Sequence, residues 1–154
     1  MSAVLEFAPD PALGFGPSLL ARIAEVLGFR AVPKSEVALA VLARTGLATS
    51  VLRHIAAAGM RGEDLAFIIP PRTLSHRIAR NARLSVEESD RALRLARIIA
   101  LADITFGEHA RALDWLRLPK KQFRGLSALE MVRTEAGARL VEELLTRVDE
   151  GYFA

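Results

Sequence analysis

Between Pro70 and Arg83 the sequence reads PPRTLSHRIARNAR: two prolines, then four arginines and a histidine with no acidic residue among them. A guanidinium is a planar fork that matches a phosphate, or the O6 and N7 edge of guanine. The hydroxyls of Thr73 and Ser75 can hold phosphate near a helix N-terminus. The chemistry on offer is recognition of a polyanion. Bond-making chemistry has little support: His54, His76 and His109 are dispersed, cysteine is absent, and there is no Gly-rich phosphate loop. No catalytic residue, cofactor or metal is therefore expected, and the chain reads as a non-enzyme.

The elements that must position this stretch follow from its neighbours. Pro70 and Pro71 stop a helix near Ile69, since proline lacks the amide and its ring crowds the preceding turn. A helix starting at Arg72 or Thr73 places Thr73, His76, Arg77 and Arg80 within an arc of about 100°, with Leu74 and Ile78 off it. Upstream, Leu65, Phe67, Ile68 and Ile69 give a short apolar helix over 63–69. Short helix, tight turn and basic helix form a helix-turn-helix pattern, whose second helix enters the DNA major groove. Arg72, Thr73, Ser75, His76, Arg77 and Arg80 are the expected DNA-binding residues. A solvated amphipathic helix is the competing reading of the same stretch.

Elsewhere helical periodicity dominates, and the fold class expected is all-α. Leu19, Leu20, Ile23, Val26 and Leu27 form one amphipathic helix, Val37, Leu39, Val41 and Leu42 a second, and Leu52, Ile55 and Ala56 a third. Ser85 with Glu88, Thr105 with Glu108, and Ser127 with Glu130 each fit the S/T-x-x-E capping box. They predict helices over about 86–103, 106–118 and 128–132, with a last one over about 135–149. Up to Arg83 there are 10 basic and 6 acidic residues, and beyond it 11 and 12, so the positive excess lies in the first half. The lack of cysteine, of a basic apolar leader and of a long apolar run favours a cytoplasmic protein.

From Arg72 onward the chain resembles the Xre/MbcA/ParS-type antitoxins, partners of RES-domain toxins. The resemblance is carried by RTLSHR from Arg72, LSVEESDRALRLARIIALA from Leu84, FGEHARALDWLRLP from Phe106 and GLSALEMVRTEAGARLVEELLTRVDEGYFA from Gly125, roughly the last 85 residues by motif pattern. It implies an Xre-like N-terminal helix-turn-helix domain followed by a small helical toxin-binding domain. The partners it implies are a RES-domain toxin that consumes NAD, operator DNA of the antitoxin's own promoter, and a second copy in a homodimer within a larger complex. The turn before the recognition helix reads IIPPRT, where relatives often carry glycine.

The corresponding organisation is an N-terminal segment over 1–34, a helix-turn-helix domain over 35–83, a dimerising helix over 84–104 and a toxin-binding domain over 105–154. Leu93, Leu95, Ile98 and Ile99 are the expected dimer contacts, on an apolar side broad enough for a core as well. Arg91, Arg94 and Arg97 are read as structural, with Glu87, Glu88 and Asp90 pairing with Arg91 or Arg94, Trp115 as a core anchor, and Lys120, Lys121 and Arg124 as a solvated loop. Asp149, Glu150, Gly151, Tyr152, Phe153 and Ala154 are the expected toxin-binding segment: glycine can end the last helix, and the two aromatic residues then serve as anchors for a partner or fold back onto the domain. The resemblance favours the partner, with the segment blocking the toxin's active site. A standalone transcription regulator and a protein-binding inhibitor without DNA binding are the alternatives.

Overall fold

The computed structural model describes residues 16–151. These are helical throughout, with no strand among them: α1 (Gly16–Leu27), α2 (Glu36–Thr45), α3 (Ser50–Ala57), α4 (Gly62–Leu65), α5 (Pro71–Ala79), α6 (Val86–Phe106), α7 (His109–Arg117), α8 (Ala128–Met131) and α9 (Glu135–Asp149), with a single 3-10 turn at Lys121–Phe123. No helix among them is long and apolar enough to cross a membrane.

The longest helix, α6, is the spine. Its start is fixed as the sequence predicts. The Ser85 hydroxyl accepts from the Glu88 amide at 3.1 Å, and the Glu88 carboxylate accepts from the Ser85 amide at 2.7 Å. From there α6 runs 21 residues, about 31 Å at the usual rise. It packs against α1 and α2, which precede it in the chain, and against α7 and α9, which follow it. A helix covered on several sides must be apolar around most of its circumference. Ala92, Leu95, Ala96 and the run from Ile98 to Ala102 are accordingly buried.

Two expectations are corrected here. Leu95, Ile98 and Ile99 have 0% exposure within the chain's own core, so they present no surface on which a folded copy could dimerise. Of the four residues assigned to a dimer contact, only Leu93 keeps part of its surface open. Thr105 does not cap a helix: it lies inside α6, and its buried hydroxyl has no hydrogen-bond partner. The stop is Gly107, in the left-handed conformation at φ 70°, whose amide donates to the Asp103 carbonyl at 2.9 Å. Helix α7 then starts after Glu108, which makes no side-chain cap.

Polar ties cross the spine. The Leu47 amide donates to the buried Ser89 hydroxyl at 2.9 Å, and the Leu84 amide to the Leu47 carbonyl at 2.9 Å. Asp103 receives Arg22 from α1 at 2.7 Å and lies 2.6 Å from Nδ1 of His109, whose Nε2 faces the Ala58 carbonyl. Arg97 joins Glu36 of α2, with Glu142 of α9 3.9 Å away. Thus α1, α2, α3, α7 and α9 are all pinned to one helix or its ends.

The turn between α8 and α9 carries a strict size limit. The Thr134 hydroxyl caps α9 by accepting from the Gly137 amide at 3.0 Å. A Cβ on Gly137 would meet the Met131 carbonyl oxygen at 1.9 Å. Gly137→Ala must therefore push backbone against backbone, and urea denaturation should show a loss of about 1–3 kcal/mol, where a helix-interior alanine would ordinarily stabilise.

Candidate functional site

Helix α5 projects from this frame. Pro71 occupies its first turn, where a missing amide costs nothing and the fixed φ is already helical, so the proline turn opens the helix directly. No residue of α5 is fully buried. Arg72, Ser75, His76 and Arg80 are exposed, and the Ser75 hydroxyl donates back to the Pro71 carbonyl at 3.1 Å. Arg80 is the C-terminal cap residue, followed by Asn81 at φ 52°.

The outward face is rotated relative to the expected arc. Thr73 and Arg77 are half-buried, whereas Ile78, assigned to the packing side, is 60% exposed. The cause is Glu88. Its buried carboxylate, already accepting from the Ser85 amide, pairs with Arg77 at 3.1 Å and turns that arginine toward the start of α6. Burial opposes ionisation of Glu88, but the Ser85 amide and the Arg77 guanidinium together outweigh it and hold its pKa below the ordinary value. Arg77 is thereby a positioning residue. Its pairing with a glutamate eleven residues away has no helical spacing to announce it.

The layout before α5 is likewise held from outside. Arg91 of α6 donates to the Ile68 carbonyl at 3.2 Å, next to the turn. Asp64, in the short α4, accepts from the Arg61 amide at 2.7 Å and pairs with Arg117 of α7 at 2.8 Å. Arg117 also donates to the Gly59 carbonyl at 2.9 Å. Of the other α6 arginines, Arg94 pairs with Asp90 at 3.2 Å, as the helical spacing predicts.

On α7, Trp115 packs against Phe106 with ring centroids 5.6 Å apart and remains half-buried. Lys121 and Arg124 are exposed, but Lys120 is a correction to the solvated-loop reading. It is 8% exposed, its ammonium lies 3.8 Å from the centre of the Trp115 ring, and it donates to the carbonyls of Trp115 and Leu118. Burial pushes its pKa down to about 8. The unfolded chain then holds this proton more tightly than the folded one between pH 8 and the ordinary 10.5. Stability should rise with pH across that window, by up to about 3 kcal/mol, and Lys120→Met should flatten the rise in denaturant melts.

Asp149 is the last residue of α9, and the Glu150 amide donates to the Thr146 carbonyl at 3.0 Å. Gly151 follows at φ 80°. All three are exposed, and Tyr152, Phe153 and Ala154 lie outside the described residues. The two expected surfaces are thus separate, α5 on one side of the spine and the end of α9 on another element. Among the described residues no group of three or more histidine, aspartate or glutamate side chains converges as a metal site would require.

Comparison with known proteins divides the chain along the same line. Residues 38–97 match the family model described as the Antitoxin Xre-like helix-turn-helix domain. Residues 101–151 match that of the Antitoxin Xre/MbcA/ParS C-terminal toxin-binding domain. A protein named Antitoxin Xre from Pseudomonas putida is 48% identical over 85 residues, covering 55% of this chain and 54% of that protein. One of the same name from Yersinia enterocolitica is 33% identical over 87 residues, covering 56% of this chain and 59% of its own length. The chain thus spans little more than half the length of these relatives. The chain thus carries, in this order, a helix-turn-helix domain of the Antitoxin Xre-like family and a C-terminal toxin-binding domain of the Antitoxin Xre/MbcA/ParS family.

Proposed function

We propose that this chain is the antitoxin of a RES-domain toxin that degrades NAD, and that as a homodimer it also binds operator DNA and represses its own promoter. The observation that carries the DNA half is the exposed row Arg72, Ser75, His76 and Arg80 on a helix locked in place by the Arg77 to Glu88 pair. Two such helices in a dimer read two half-sites, as helix-turn-helix proteins do. Ile78 adds an apolar group on the same helix, suited to a thymine methyl. The toxin half rests on the matched C-terminal domain and the exposed end of α9. There Asp149, Glu150, Gly151, Tyr152, Phe153 and Ala154 enter the mouth of the toxin's active site and exclude NAD.

The test is intracellular NAD in cells expressing a RES-domain toxin, with the full chain or with one ending before Asp149. NAD preserved by the full chain and depleted with the folded truncation supports blocking by the terminal segment. Protection by both moves inhibition to the body of the domain. Depletion with both, when both are expressed, sinks the antitoxin reading and leaves a standalone regulator.

A further inference from the structure

Beside the end of α9 lies an open hollow of about 280 Å³ walled by Trp115, Leu118, Pro119, Lys120, Leu144 and Val148. It is smaller than the roughly 300–1,000 Å³ usual for small-molecule pockets and suits one or two side chains of a protein partner. Trp115, Leu118, Pro119, Leu144 and Val148 give it an apolar wall, and Leu118 is 59% exposed. A half-buried tryptophan among leucines is the kind of group that anchors a protein interface once water is excluded around it.

The hollow also carries a charge without a counter-charge. The Lys120 ammonium meets only neutral groups, the Trp115 ring and two carbonyl oxygens, and among the described residues no carboxylate lies within ion-pair distance. Burying a cation among neutral partners is costly, and an incoming carboxylate would supply the missing charge. Exposed Lys121, also lining the hollow, favours the same sign of ligand. Val148 immediately precedes Asp149, so the hollow adjoins the start of the terminal segment.

We propose that this hollow is a second toxin-docking site, which receives an apolar side chain of the toxin together with an adjacent carboxylate. The inference rests on the antitoxin reading above. It adds a recognition site on the body of the domain, where matching is set by shape and by one carboxylate, to the segment that occludes the active site.

Trp115 is the single tryptophan of the chain, so 5-fluorotryptophan labels the hollow alone. The labelled full chain is titrated with unlabelled RES-domain toxin while 19F NMR is recorded, and calorimetry gives the affinity. The fluorine resonance should shift on complex formation, and Leu118→Asp and Lys120→Met should each weaken binding about tenfold or more with unchanged helical circular dichroism. Affinity unchanged in both variants while the unaltered chain binds overturns the docking site and leaves the antitoxin reading standing. A resonance that moves on removal of the terminal segment without toxin, and not on toxin addition, assigns the hollow to the chain's own tail and also overturns it. If the unaltered chain fails to bind the toxin at all, both readings fall.

Discussion

Replacing Arg72 and Arg80 together by alanine is expected to weaken operator binding by the dimer about a thousandfold or more, from four lost contacts, two per protomer, at about 1–3 kcal/mol each. Both side chains are exposed and neither forms an ion pair among the described residues, so the fold should not register the change. If both touch phosphate in each protomer, the slope of log affinity against log salt should fall by about four. Arg77→Ala behaves differently despite its place in the same helix. It strips a buried carboxylate of its partner, so urea melts should show a loss of about 2 kcal/mol alongside weaker DNA binding. An undiminished affinity in the Arg72/Arg80 double variant would remove α5 as the DNA reader.

The second large effect concerns the spine. Ile99→Ala deletes a fully buried side chain at the meeting of several helices and should cost about 2–5 kcal/mol. The loss should be the same at 1 μM and 100 μM protein, on the order expected for a change inside one chain, because a dimer contact alone would make stability follow concentration. Leu95→Ala and Ile98→Ala should behave alike. A midpoint that climbs with concentration in the unaltered chain and ceases to do so in Ile99→Ala would return this helix to a dimer surface.

Local chemistry was the legible part of the sequence. Ser85 with Glu88 announces the start of α6, and the Ser127 hydroxyl caps α8 by accepting from the Glu130 amide at 3.1 Å, because a cap is complete within four residues. Thr105 with Glu108 has the same letters, but Gly107 between them takes a left-handed turn that ends α6 after the threonine, and the pattern is left unused. What pairs across the fold was not legible. The rotation of α5 depends on Glu88 reaching Arg77, and the burial of Lys120 depends on Trp115 folding over it. The apolar breadth of α6 was visible, but the number of neighbours that cover it is a property of topology. The basic α5 and the end of α9 lie on different elements, and α6 packs against helices on both sides of the boundary drawn between the domains.

Helix α6 supplies core to both matched domains, and Arg117 to Asp64 ties them again beyond it. Neither half can come apart while the other stays whole, so the chain should open in a single cooperative event. A protease that cuts only the opened chain then removes both activities with one half-life. Under the proposed function, loss of the protein in a cell would free the promoter and the toxin at the same moment, and the timing of the two responses would be set by one unfolding equilibrium.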